Sequence, residues 1–110
     1  MAKAKYPRWY LYLKEHHGKF MSCLEQLGEV VLREGPLDDK TSHLIQLAAA
    51  AATRSEGSVH SHVRRAREAG ASPAEIYHAL LLLTSTIGFP TTSAALSWVH
   101  DLLKESGTKK

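Results

Sequence analysis

The chain has 110 residues, of which 44% are apolar and 23% charged, with a formal net charge of +3. That length supports one core rather than two, and that composition excludes intrinsic disorder. The charge is too mild for a nucleic-acid footprint, part of it lying in Lys3, Lys5, Lys109 and Lys110, and no apolar run reaches the roughly 18 residues of a membrane span.

The N-terminal stretch MAKAKYPRWYLYLKEHH has no apolar segment followed by a small-residue cleavage site, so a cytoplasmic location is expected. Pro7 is placed to open a first helix through WYLYL, because its missing donor costs nothing in a first turn. His16, His17 and Gly18 interrupt it. A second helix, residues 19–33, repeats apolar side chains at Phe20, Cys23, Leu24, Leu27, Val30 and Val31, the spacing of one buried face. Cys23, the single cysteine, excludes an internal disulfide and reads as a packed thiol. Gly35 and Pro36 stop the helix.

Asp38 or Asp39 can cap a third helix carrying Leu44, Ile45, Leu47 and alanines 48–52. Alanine favours helix and leaves no bulk, so this is the expected central helix. Gly57 is the expected break before a fourth helix, about residues 58–69, ending at Gly70. Its basic cluster, Arg64, Arg65 and Arg67, diverges around the helix and reads as a largely solvated face. Ser72, Pro73, Ala74 and Glu75 spell a capping box with proline at the first helical position. A fifth helix is expected through IYHALLLLTSTI, apolar enough for burial on most sides. Gly88, Phe89 and Pro90 break it from a sixth, residues 91 to about 104, with Ala94, Ala95, Trp98, Val99 and Leu102 on one face. Strand signals are nearly absent. The expectation is a single all-α domain of about six helices.

Several local patterns together carry a family likeness: Leu37-Asp38-x-Lys40-Thr41, the H-x-x-x-A-x-x-x-G segment from His62 to Gly70, the capping box, and Gly88-Phe89-Pro90. With them, residues 34–96 resemble the carboxymuconolactone decarboxylase family, which includes alkyl hydroperoxidase D-like proteins. The resemblance implies a helical fold assembled as dimers, trimers or hexamers, with an active site where the third, fourth and fifth helices meet. In the peroxidase branch a C-x-x-C pair begins the fourth helix, a histidine follows four residues later, and a glutamate precedes the pair by twelve. The corresponding residues here are Ser55, Ser58, His62 and His43. Thiol–disulfide exchange needs a thiolate, and serine has no such cycle, so peroxidase activity is not expected. The decarboxylase branch lacks the cysteine pair and keeps the histidine. His78 stands where the helix-five pattern E-I-x-E commonly has glutamate.

By that resemblance the expected site is His62 as acid or base, with Ser55, Ser58 and His43 around it. Arg54, Arg65 and His78 are its candidate substrate contacts. Histidine exchanges a proton near neutral pH and arginine clamps a carboxylate, which suits decarboxylation of a small carboxylated molecule without a cofactor. The alternative for His62 is a helix histidine satisfied by a backbone carbonyl. Ser58 and His62, at i and i+4, can form a hydrogen-bonded pair; no nucleophile elbow surrounds Ser58.

Seven histidines also raise a metal hypothesis. His60 and His62 point apart, but His43, His62 and His78 come from three helices that the family packing would bring together, and three histidines with an open position suit zinc or another divalent transition metal. His16, His17 and His100 read as surface residues. A third possibility is a binding or scaffold protein that kept the fold and lost the site. The expected partners are a small-molecule substrate and further copies of the chain, with no nucleic acid and no membrane. Trp9, Tyr10, Tyr12 and Trp98 offer apolar area for subunit contacts or for the core.

Overall fold

The computed structural model describes residues 8–105, all of whose regular elements are helical. Pro7, the expected helix start, lies outside the described residues. The chain divides into two compact units, Met1–Leu37 and Asp38–Lys110.

The first unit contains α1 (Arg8–His16) and α2 (Gly18–Arg33). The break falls at His17, whose φ of −136° and ψ of 57° leave the helical region. Glu25 ties the pair together, accepting from the Tyr10 hydroxyl at 2.6 Å and from Lys14 Nζ at 3.3 Å through one carboxylate oxygen. On α1, Trp9 stacks on Tyr12 at 5.2 Å and Tyr12 on His16 at 4.2 Å, leaving Trp9 and Tyr12 exposed.

The apolar period of α2 is present, but the expected burial is not. Met21 is the buried residue of α2, whereas Phe20, Leu24, Leu27, Val30 and Val31 are each about half exposed. Cys23 is exposed as well, so the packed-thiol reading is corrected. Periodicity specifies which residues share a face; it does not supply the surface that covers them.

The second unit holds α3 (Asp39–Ala52), α4 (Glu56–Glu68), α5 (Pro73–Leu81), α6 (Thr84–Ile87) and α7 (Phe89–Glu105). Asp38 caps α3, its Oδ1 accepting from the Thr41 amide at 2.8 Å. Ala50 and Ala51 are buried while Ala49 and Ala52 are exposed, so the alanine run serves as a close-approach surface on one side only. α3 packs chiefly on α4, and α7 lies against both. The core between these helices is built on Leu47, Val59, Val63, Ile76, Leu80 and Val99. Trp98 packs partly buried against that core.

Three expected boundaries move. Gly57 does not break the chain; it lies inside the first turn of α4, which begins at Glu56 with Ser55 as its cap. The reversal is made instead by Thr53 and Arg54. Arg54 takes a φ of 61°, and the amides of Arg54 and Ser55 close onto the carbonyls of Ala51 and Ala50. Gly70, with φ 101°, closes α4 in the same way: the Gly70 and Ala71 amides donate to Arg67 and Ala66. Glycine takes that conformation without strain, whereas arginine adopts it at a cost of about 1 kcal/mol.

The fifth helix is also shorter than expected. The capping box forms as predicted, Ser72 Oγ accepting from the Glu75 amide and Glu75 Oε1 from the Ser72 amide. α5 then ends at Leu81, where the Leu83 amide tightens onto Leu80 and the Thr84 hydroxyl donates to the Leu81 carbonyl. Leu81 and Leu82 are exposed, not buried as the apolar run suggested. Gly88, at φ 92°, separates α6 from α7, which starts at Phe89 with Pro90 in its first turn.

Candidate functional site

α3 and α4 bring together two histidines that lie far apart in sequence. His43 sits one turn into α3 and is 6% exposed; His62 is half-buried in the middle of α4. Their ring centroids are 6.0 Å apart with planes tilted by 36°. The Nδ1 atoms of both rings are buried, and neither has a hydrogen-bond partner among the described residues. The backbone-carbonyl alternative for His62 therefore does not hold at this nitrogen.

Burial is the main cause that pushes the pKa of His62 down to about 4, helped by the positive charge of Arg65 and by His43. His43 is shifted the same way, first by burial and then by Arg65, against the opposing influence of Asp39, Gln46 and Glu68. Both rings are consequently neutral near pH 7, each offering one lone pair and one N–H. Arg65 follows His62 by three residues, so helical spacing puts it on the same side of α4. It is exposed, and its positive charge acts on both imidazoles.

The remaining candidates are distributed differently. Ser55 caps α4, its Oγ accepting from the Ser58 amide at 3.4 Å. Ser58 is exposed, and no hydrogen bond joins it to His62 among the described residues, which corrects the expected polar pair. Arg54 lies exposed in the α3–α4 turn, and of the two arginines it is Arg65 whose charge acts on the histidines.

His78 does not join the pair. The buried residues of α5 are Ile76 and Leu80, and a residue midway between them points to the opposite side, leaving His78 exposed. Among the described residues no three histidine, cysteine, aspartate or glutamate side chains converge on a metal-holding geometry. The expected three-histidine centre of His43, His62 and His78 is therefore corrected to a two-histidine pair. The other histidines lie elsewhere: His60 faces Glu56 at 3.7 Å, His100 is 3.4 Å from the Tyr77 hydroxyl, and His16 and His17 are exposed.

Sequence reasoning named Asp39 only as a candidate helix cap and passed over Gln46 and Glu68. Their spacing could have revealed them, since Asp39 and Gln46 flank His43 at i−4 and i+3, and Glu68 follows Arg65 at i+3. It also passed over Thr92 on α7, a fully buried residue whose hydroxyl has no partner among the described residues. A shallow depression along α1, lined by Arg8, Trp9, Leu11, Tyr12 and Glu15, carries neither histidine of the pair.

A profile of the carboxymuconolactone decarboxylase family matches residues 18–101. No curated protein sequence gives a significant match. Among solved structures, the chain is similar to a carboxymuconolactone decarboxylase family protein from Legionella pneumophila determined in its apo form. The TM-score is 0.74 at 21% identity, over 87% of this chain and 86% of that one, a likeness of fold.

Proposed function

The chain belongs to the carboxymuconolactone decarboxylase family, and from that premise we propose that it carries out cofactor-independent acid–base chemistry on a small carboxylated molecule. The reaction class is a decarboxylation or a related lyase or isomerase step. His62 exchanges the proton, His43 assists, and Arg65 anchors a substrate carboxylate.

The observation that carries this reading is the His43–His62 pair, two imidazoles with buried, unpartnered Nδ1 atoms beside an arginine. An unmet buried donor or acceptor costs about 1–3 kcal/mol, so a ligand that completes it recovers that energy. Arginine binds a carboxylate bidentately and fixes its orientation. A neutral, poorly hydrated imidazole accepts a proton from carbon and, once charged, returns it. Positions 55 and 58 carry hydroxyls, which cannot form the dithiol of a peroxidase.

Self-association belongs to the same proposal. It is supported by the half-exposed stripe of Phe20, Leu24, Leu27, Val30 and Val31 on α2, an apolar face larger than isolated surface residues provide.

The test is a turnover screen of carboxylated lactones and β-keto acids with the wild type and His62→Ala. Turnover abolished by the substitution supports the assignment. Turnover that survives it overturns the role of His62, and silence across the whole panel favours a binding protein.

A further inference from the structure

We propose that docking of a carboxylate beside Arg65 draws a proton from solvent onto the His43–His62 pair, so that the site takes its ligand as an anion together with a proton. This rests on the pair being the ligand site; it adds how the pair changes state when the site fills.

His43 is more than nine-tenths buried, and its Nδ1 and that of His62 are both buried with no partner among the described residues. The charged and titratable groups acting on the rings come from α3 and α4: Asp39 and His43 from the first, His62, Arg65 and Glu68 from the second. None of those acting on either ring comes from α5 or α7, the other helices packed against α4. Among the described residues the fixed positive charge acting on both rings is that of Arg65, and it opposes their protonation.

A carboxylate on Arg65 reverses that balance by two routes. It neutralises the guanidinium that disfavours the charged imidazole, and it places a negative charge next to rings that solvent screens poorly. Both effects raise proton affinity in the same direction. A carboxylate is also acceptor-only, so it is best satisfied by rings that donate, and a doubly protonated imidazole donates from both nitrogens. The proton comes from solvent, no covalent bond breaks in the protein or the ligand, and the site gains one positive charge as it gains one negative. For a decarboxylation the consequence is direct: the resting base becomes the acid that protonates the carbon left after carbon dioxide departs.

The experiment is isothermal titration calorimetry of the full chain with succinate at pH 6.5, where both carboxyls of the ligand are ionised, repeated in buffers of different ionisation enthalpy. We expect saturable binding whose apparent enthalpy depends on the buffer, corresponding to uptake of about half a proton or more per ligand. His62→Gln should reduce that uptake severalfold, and Arg65→Gln should weaken binding by about tenfold or more. Should His62→Gln fail to fold, the wild-type imidazole C–H resonances followed by NMR through a pH titration give a second readout, with His62 titrating at higher pH when succinate is present.

Buffer-independent enthalpy, an unmoved His62 titration, or no succinate binding overturns the inference. The two proposals fail separately. Turnover lost in His62→Ala without proton uptake leaves the catalytic reading standing and removes this one, whereas proton-linked binding without turnover does the reverse.

Discussion

The ring centroids of His43 and His62 lie 6.0 Å apart across the α3–α4 packing, and among the described residues the Nδ1 of neither has a hydrogen-bond partner. Two neighbouring helices thus hold a pair of titratable groups in a setting that favours their neutral forms.

That setting has a thermodynamic signature. His62 titrates at about 4 in the folded chain against an ordinary value of 6.5. Below pH 6.5 the unfolded chain takes up a proton that the folded chain refuses, so stability falls as pH drops, and the loss is complete near pH 4. Between pH 7 and pH 5 the full shift corresponds to about 2 kcal/mol, and solvent screening of a half-buried ring brings this to roughly 1–2 kcal/mol. Urea denaturation across that window should show the decline, and His62→Gln should flatten most of it. His43 is shifted in the same direction and supplies the remainder.

The serines at positions 55 and 58 lead to a prediction about sulfur. The wild type should not reduce hydroperoxides in the presence of a dithiol, and measurable reduction would refute the non-redox reading. The double substitution Ser55→Cys, Ser58→Cys should place a thiol pair on the first turn of α4, where a helix N-terminus lowers thiol pKa. Alkylation rates followed against pH should show a thiol more acidic than free cysteine. Loss of the Ser55 cap should cost about 1 kcal/mol of stability.

The α3–α4 turn predicts two stabilising changes. Arg54 holds a left-handed φ of 61° that glycine adopts freely, so Arg54→Gly should raise stability by roughly 0.5–1 kcal/mol. Gly57 lies within α4, and a Cβ there meets nothing within 4 Å. Gly57→Ala should add a similar amount. Thermal unfolding of the two variants tests whether this turn, rather than Gly57, governs the reversal; a destabilised Gly57→Ala would count against it.

The stripe on α2 predicts behaviour in solution. If a second copy covers Leu27 and its neighbours, Leu27→Glu introduces a charge into an apolar contact and should shift light-scattering mass toward the monomer without loss of helicity. An unchanged mass would place the subunit contact elsewhere.

Much of the fold was legible in local chemistry. The capping box at Ser72 and Glu75, the Asp38 cap, and Gly70 as the end of α4 follow from residue types and formed where they were expected. Errors came where a weak local signal competed with context: Gly57 was tolerated within a helix, and an arginine closed α3 where glycine is usual. The long apolar run after Pro73 looked like one buried helix, yet it turns at Leu82 and Leu83.

The sequence by itself determined that the chain is helical, where the Asp38 and Ser72 caps fall, and that serines stand at positions 55 and 58, because these depend on bonds and neighbours within a few residues. Tertiary structure alone decided that His43 meets His62 while His78 does not. That outcome depends on the rotation of each helix about its own axis, and on α5 the burial of Ile76 and Leu80 sets the rotation and turns His78 outward. It also decided that Arg65, rather than Arg54, governs the histidine pair. The reason is again rotational: Arg65 shares the side of α4 that presents His62, and Arg54 lies in the turn before that helix begins.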